Sequence, residues 1–161
     1  MALISEKFNE ALNVQIGEEL NSAFIYLSAS IWLKEHSFNK LSSWYWAQYN
    51  EELSHAYKFI NYIIDVGGTA KIPAIPQPKS DWTSVKEIVE TGYAHEQYIT
   101  RKIHELVALA EELKDYNPRQ LLQWFVTEQI EEESNASELL ERQSAFKNDM
   151  LFDQHTVRVE E

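Results

Sequence analysis

The sequence contains no cysteine and little glycine or proline. Its 161 residues include only four glycines and four prolines, and three of the prolines lie in one segment, IPAIPQPK. The absence of cysteine excludes disulfide bridges and thiolate metal sites, and it is compatible with a reducing cytosol. Because helix-breaking residues are scarce elsewhere, the composition predicts long uninterrupted helices and therefore an all-α protein.

Long apolar runs and an excess of positive charge are also missing. No run approaches the roughly 20 apolar residues of a membrane-spanning helix. The first residues, MALISEKFNEALN, have neither the apolar core of a signal peptide nor an arginine-rich presequence. The formal net charge of −12 opposes binding to nucleic acid and to anionic membranes. We therefore expect a cytoplasmic protein without nucleic acid or membrane as a partner.

Hydrophobic periodicity predicts four long helices in a single domain that spans residues 1–161. A hydrophobic content of 44% is enough for one buried core at this length. The helices run from about residue 5 to 35, from 42 to 66, from 83 to 113 and from 118 to 146. The tail, 147–161, is compatible with either a short fifth helix or an irregular end.

The connections between the predicted helices differ in length. The first and third are short, so the helices that they join are expected to be antiparallel neighbours. The second, GGTAKIPAIPQPKSDW, begins with a glycine pair that can end a helix, and its three prolines favour extended chain. About 15 extended residues reach ~45 Å, the length of such a bundle. The sequence therefore predicts a four-helix bundle with one long crossover between the second and third helices.

Each predicted helix carries a glutamate inside its apolar face. These residues are Glu19, Glu52, Glu96 and Glu132, and all lie near the middle of their helices. For any one of them, the simpler interpretation is a side chain that extends to solvent. Four at matching depth favour another interpretation, because uncompensated buried carboxylates cost many kcal/mol and Lys and Arg lie almost wholly on other faces. Protons or metal cations must then compensate the negative charge.

A histidine accompanies one of these glutamates. His55 follows Glu52 by three residues, one helical turn later. Alone, it would be interpreted as a hydrogen-bonded core histidine, but at this spacing it is a candidate ligand. Four carboxylates and one imidazole suit iron or manganese better than copper or a typical zinc site. Since Glu52 or Glu96 can bridge two ions, the set favours a dinuclear centre.

Four long segments resemble the non-haem ferritins of bacteria and archaea. They are ISEKFNEALNVQIGEELNSAFIYLS, NEELSHAYKFINYI, YAHEQYITRKIHELVALAEELKDY and LLQWFVTEQIEEE, one in each predicted helix. The resemblance covers residues 5–146, including the proline-rich crossover. It implies a bundle of ferritin-like topology, a ferroxidase that oxidises Fe(II) with O2 or peroxide at a di-iron centre, and iron storage. It also implies a homo-oligomeric shell of about 24 chains that holds the ferric mineral.

The resemblance assigns roles to individual residues of the first three helices. Glu19, Glu52 and His55 would hold the first iron. Glu52 and Glu96 would bridge to the second iron or hold it. Tyr26 matches the tyrosine beside the iron pair, and its alternative is a core aromatic without a role in the chemistry.

The fourth helix supplies a further set by the same resemblance. Glu132 takes the position of its iron ligand and Gln129 that of the nearby glutamine. Glu51, Glu128 and Glu131, with Glu132 shared, match the third iron site of bacterial non-haem ferritins. A plain acidic helix surface is the alternative for that third site.

Two features of bacterioferritins are missing. Asn135 stands three residues after Glu132, where they have a second histidine. Leu53 follows the glutamate of the second helix, where they have the haem-ligating methionine, and Met1 and Met150 are the only methionines. No haem is therefore expected. The polar tail FDQHTVRVEE is also a weak match to the fifth helix that lines a pore of ferritin shells.

The residues leave two alternative functions open. One is a bundle that buffers iron or zinc without oxidising it, and the other is a di-iron redox enzyme similar to rubrerythrin or a peroxidase. The missing second Glu-x-x-His motif argues against the redox enzyme. Four aromatic residues outside the apolar faces are predicted to be exposed and are candidates for subunit contacts, namely Trp32, Trp44, Trp46 and Tyr57.

Overall fold

The protein is described by a computed structural model that covers residues 2–158. Its five helices are α1 Glu6–Glu35, α2 Asn39–Asp65, α3 Val85–Glu112, α4 Arg119–Ala145 and α5 Asp149–Gln154. The all-α prediction is confirmed, and the predicted ends of the four long helices agree with these bounds within three residues. Within residues 2–158, no helix is both long and apolar enough to cross a lipid bilayer.

The largest difference is the start of α2, which begins at Asn39 and not near residue 42. Phe38 occupies the N-cap position and makes no side-chain cap hydrogen bond. The cap comes instead from the distant tail, where Asp153 accepts a hydrogen bond of 2.8 Å from the backbone N–H of Leu41. A carboxylate at a helix N-terminus is favourable because it pairs free N–H groups and the positive end of the helix dipole.

The four long helices form a bundle in which α1 packs along α2 and α3 along α4, with further contacts between α1 and α3. Phe8 near the start of α1 shares a core cluster with Ile63 near the end of α2. Ser30 near the end of α1 is hydrogen-bonded at 2.8 Å to the backbone of Ser42 near the start of α2. These contacts make α1 and α2 antiparallel, as the short connection between them predicts.

The long crossover from α2 to α3 is fixed at both of its ends. Gly67 adopts a left-handed conformation with φ 76°, which a glycine allows without strain, and so ends α2. The crossover then passes so close to α1 that a Cβ on Gly17 would lie 2.4 Å from Pro73. Near α3, Trp82 is buried and its indole N–H donates to Ser28 at 3.1 Å. The predicted crossover is therefore an extended strap against the bundle.

The apolar core consists of two clusters with a polar layer between them. The first cluster surrounds Phe59, Ile103 and Phe125. The second surrounds Leu33 and Tyr45. The buried polar side chains that separate the two clusters are Gln15, Glu19, Ser22, Gln48, Glu52, His55, Glu96, Gln129 and Glu132. The bundle is thus apolar at both ends and polar in the middle.

The tail does form a short fifth helix, α5. Asn148 caps it by accepting a hydrogen bond of 2.9 Å from the backbone N–H of Leu151. Phe152 is fully buried in the second core cluster, which attaches α5 to the bundle. The last residues of the predicted tail, 159–161, lie outside the described residues.

The prediction for exposed aromatic residues was half wrong. Trp46 and Tyr57 are 54% and 63% exposed and stay candidates for subunit contacts. Trp32 and Trp44 are only partly exposed, because both pack against the second core cluster. Large aromatic rings at the border of an apolar face reach the core from positions that a helical projection places outside it.

Candidate metal centre

The four central glutamates meet in the polar layer, as the sequence predicts. Glu19 comes from α1, Glu52 from α2, Glu96 from α3 and Glu132 from α4, and each is at most 4% exposed. All four positions sit near the middle of their helices, so the packing of the helices brings the carboxylates to one depth. Buried carboxylates at such close range must share protons or cations.

Three overlapping groups of side chains have the spacing of metal ligands. In each group, one ligand atom per residue lies within 4.8 Å of all the others. The groups are Glu19, Glu52 and His55; Glu52, Glu96 and Glu132; and Glu51, His55, Glu128 and Glu132. We call the first two together the inner groups and the third the outer group. Glu52 belongs to both inner groups, so it is placed to bridge two ions.

One buried carboxylate oxygen in this layer makes no hydrogen bond to any of the described residues. Oε1 of Glu19 accepts a hydrogen bond of 2.9 Å from Gln15, whereas Oε2 is buried and makes no hydrogen bond among residues 2–158. Its ion-pair partner is Nδ1 of His55, at 3.9 Å. Leaving a buried carboxylate oxygen unpaired is costly, so this oxygen fits a bound cation. The donor set of carboxylates and one imidazole fits iron.

His55 belongs to both the first inner group and the outer group. Its Nδ1 is 3.2 Å from Oε2 of Glu52, and its Nε2 is 3.3 Å from Oε1 of Glu128. Burial alone would lower the pKa of His55, but the hydrogen bonds and charges of these carboxylates outweigh it and raise that pKa to about 11. Without metal, the ring is therefore an imidazolium that neutralises part of the cluster.

The pKa values of three carboxyl groups are also raised, but here burial is the main cause. Burial, reinforced by the charge of Glu52, raises the pKa of Glu96 to about 8. The pKa of Glu19 and that of Glu132 are raised well above the usual range, again mainly by burial and then by neighbouring carboxylates. Carboxyl groups that hold protons at neutral pH release them when a cation takes the place of the proton.

Two further predicted residues hold Glu96 in place. The Tyr26 hydroxyl donates to Oε1 of Glu96, and the Gln129 amide donates to Oε2 at 3.2 Å. Burial and the charge of Glu96 raise the pKa of Tyr26 well above its usual range, so this phenol stays neutral. Tyr26 and Gln129 thus occupy the positions beside the cluster that the resemblance implies.

The outer group borders an open cavity of about 780 Å³, lined among others by Glu51, Glu128 and Glu131. Glu51 and Glu128 are half-buried, and Glu131 is exposed. Glu131 lines the cavity but belongs to none of the three ligand groups. The residues predicted for a third iron site therefore lie together. Among them, Glu131 differs from the others because it is exposed and outside the three ligand groups.

Sequence reasoning missed three polar residues of this region. Gln15 and Gln48 each precede a cluster glutamate by four residues, and Gln48 donates to Glu132 at 2.6 Å. A glutamine four residues before a buried glutamate on two separate helices is a signal that the sequence contains. Arg158 in the tail pairs with Glu51, and no local pattern indicates this contact because 107 residues separate the two.

The comparisons with known proteins agree with this geometry. Residues 9–145 match the ferritin-like domain family. The bacterial non-haem ferritin of Bacteroides fragilis is 35% identical over 87% of this chain and 88% of its own length. That of Campylobacter jejuni is 36% identical over 82% of this chain and 79% of its own. A solved structure of an open pore ferritin from Archaeoglobus fulgidus has a TM-score of 0.91 and 39% identity, and the match covers 96% of both chains.

The fold and the buried carboxylate layer define a four-helix bundle of the ferritin-like class. The chain belongs to the ferritin family, and within it to the non-haem ferritins of the bacterial and archaeal type. The resemblance stated from the sequence is thereby confirmed. Membership in this family supports iron storage as the general function.

Proposed function

We propose that this protein stores iron and oxidises it at the inner groups, as a ferroxidase with a di-iron centre. One Fe(II) ion binds Glu19, Glu52 and His55, and a second binds Glu52, Glu96 and Glu132. The observation that carries the proposal is the membership of Glu52 in both inner groups, beside a buried oxygen of Glu19 that makes no hydrogen bond within the described part of the chain. The family and its bacterial relatives support iron as the metal.

The chemistry follows from the charge of the ligands. Anionic carboxylates stabilise Fe(III) more than Fe(II), so binding at this site makes the loss of an electron more favourable. Each of two Fe(II) ions gives up one electron, and O2 takes both together with two protons to form H2O2. With peroxide as the oxidant, the two electrons and two protons yield two water molecules. Glu96 and His55 hold protons in the metal-free site and release them as iron binds.

Storage requires a compartment that one bundle does not provide. We infer that the chains assemble into a closed homo-oligomeric shell of about 24 subunits, which receives the ferric product as a mineral. The ferritins among the solved structures support an assembly of this kind. The exposed rings of Trp46 and Tyr57 are candidates for its contacts. A cytoplasmic location stays a prediction from the sequence.

The experiment compares Glu19→Gln with Glu18→Gln in the metal-free protein. Both glutamates are on α1, but Glu18 is outside the ligand groups and accepts a hydrogen bond of 2.9 Å from Tyr98. Two equivalents of Fe(II) are added without oxygen, air is admitted, and the near-ultraviolet absorbance of Fe(III) is followed. We expect Glu19→Gln to slow the initial rise at least about tenfold and Glu18→Gln to leave it near that of the parent.

The outcomes separate the alternative functions. A parent protein that binds Fe(II) tightly and oxidises it no faster than buffer would be a metal buffer and not a ferroxidase. Equal rates in both variants would contradict the assignment of the inner groups. Steady turnover of peroxide with an added electron donor and no accumulation of mineral would favour a di-iron redox enzyme. Size-exclusion chromatography tests the shell, since a small oligomer cannot enclose a mineral core.

A further inference from the structure

The guanidinium of Arg158 lines the open cavity beside the outer group, which we call the outer cavity. Its Nη1 donates to Oε1 of Gln48 at 2.9 Å and to the backbone carbonyl of Trp44 at 3.2 Å, while Nη2 donates to Glu51. Its Cζ also lies 5.2 Å from the centre of the Trp44 ring. The side chains of Arg158 and Glu51 are 23% and 35% exposed, so water screens this ion pair only in part.

The tail that carries Arg158 is attached to the bundle by several contacts. Phe152 is buried in the second core cluster. Asp153 binds the N-terminus of α2, and Lys40 donates to the backbone carbonyl of Gln154 at 2.6 Å. The hydroxyl of Thr156, which is itself buried, donates to the carbonyl of Phe152 at 2.8 Å. Arg158 therefore follows an anchored segment that ends beside the cavity.

Arg158 also determines how the amide of Gln48 is oriented. A guanidinium only donates hydrogen bonds, so Gln48 must turn its oxygen towards Arg158 and its nitrogen towards the carboxylates. That nitrogen lies 2.6 Å from Oε2 of Glu132 and 3.5 Å from Oε1 of Glu52. A chain of hydrogen bonds thus connects the tail through Gln48 to the inner groups.

We propose that Arg158 is an internal counter-cation of the outer group, which makes the inner groups fill with metal before the outer one. This inference rests on the proposed function, because it requires that the inner groups bind metal. A cation in the outer group needs Glu51, and it must displace the guanidinium from that carboxylate. The hydrogen bonds and the ion pair of Arg158 go to Trp44, Gln48 and Glu51 and not to the first inner group, so that group fills while the ion pair stays intact.

The test is calorimetric titration of the metal-free full-length protein with Zn²⁺ alone, which binds without redox chemistry. The parent is compared with Arg158→Ala and with Arg101→Ala, which removes one exposed positive charge on α3. We expect Arg158→Ala to tighten the weaker class of sites about tenfold or more, because a hydrogen bond between charged partners no longer has to be broken. The Zn²⁺ affinity of the tighter class of sites should change less than threefold, and Arg101→Ala should bind Zn²⁺ with the affinities of the parent.

Two more variants test whether charge or shape is responsible. Arg158→Gln keeps hydrogen-bond donors without the charge and should tighten the weaker sites as Arg158→Ala does. Arg158→Lys keeps the charge but lacks the planar fork. On a logarithmic scale, it should bring the Zn²⁺ affinity of the weaker sites at least halfway back from that of Arg158→Ala to that of the parent. Glu51→Gln removes both a ligand of the outer group and the ion pair, so it should weaken the weaker sites, and adding Arg158→Ala to it should not tighten them again. Circular dichroism verifies that each variant is folded.

Each result is decisive. Equal shifts in Arg158→Ala and Arg101→Ala would overturn the proposal, because total charge and not the ion pair would then control the weaker sites. Unchanged affinities in a folded Arg158→Gln protein would overturn it too, while leaving the proposed metal centre intact. A parent protein that binds no Zn²⁺ would contradict the metal centre itself, and the inference with it.

Discussion

Nε2 of His55 lies 3.3 Å from a carboxylate oxygen of Glu128, on the opposite side of the ring from the nitrogen that faces the inner groups. One imidazole therefore connects the buried cluster with the outer cavity. Its pKa of about 11 means that both nitrogens carry protons in the metal-free protein at neutral pH. At least one proton has to leave before this ring can bind a metal ion.

Metal binding at pH 7 should accordingly release protons. His55 loses one, and the carboxyl group of Glu96, with a pKa of about 8, loses most of another. The affinity for Zn²⁺ should then rise about tenfold per pH unit for each proton released. Calorimetry in two buffers of different ionisation enthalpy counts these protons. His55→Ala should release about one proton fewer, and a parent protein that releases none would contradict the protonation states inferred here.

The metal-free protein should become less stable as the pH rises from about 5 to 8. The pKa of Glu96 is raised from 4.5 to about 8, so its contribution is complete below 4.5 and is lost as the pH approaches 8. His55 acts in the same direction, because its contribution to stability is complete below pH 6.5 and decreases as the pH rises towards 11. Thermal midpoints at pH 5 and pH 8 measure the slope. Glu96→Gln should make it shallower, and a midpoint that rises with pH would refute the argument.

Replacing Gln48 by leucine should destabilise the metal-free protein more than the metal-bound one. Gln48 supplies the hydrogen bond of 2.6 Å to Glu132, and its loss leaves a buried carboxylate oxygen unpaired at a cost of about 1–3 kcal/mol. A bound cation would satisfy that oxygen. Urea unfolding with and without Zn²⁺ measures the difference, and Gln123→Leu, at an exposed position of α4, is the control. An equal loss in both states would exclude this role of Gln48.

Removing the carboxylate of Asp153 should both weaken α2 and loosen the tail. Asp153→Ala deletes the hydrogen bond to Leu41 at the start of α2, which should lower the free energy of unfolding by about 1 kcal/mol. Because Arg158 follows this anchor, the variant should also show part of the tightening of the weaker Zn²⁺ sites. Gln154→Ala, an exposed change in the same segment, should do neither. Normal stability in Asp153→Ala would show that water replaces the cap.

The fold was largely predictable because each helix carries its own periodic signal. Apolar side chains one turn apart define a buried face without knowledge of the neighbours, and glycines and prolines mark the crossover. The start of α2 was not predictable, since the carboxylate that caps it comes from Asp153 in the tail. The prediction that Trp32 and Trp44 are exposed was wrong for a related reason, because both rings pack against the second core cluster.

The candidate site was likewise predictable in part from the sequence. The sequence by itself determined that one carboxylate per long helix lies on the apolar face, because depth along a helix and angle around it follow from residue spacing alone. Only the tertiary structure decided which carboxylates share ligand groups, that one oxygen of Glu19 has no hydrogen bond to the described residues, and that Arg158 pairs with Glu51. Such contacts depend on distances between separate helices and a distant tail, and chain spacing does not encode those distances.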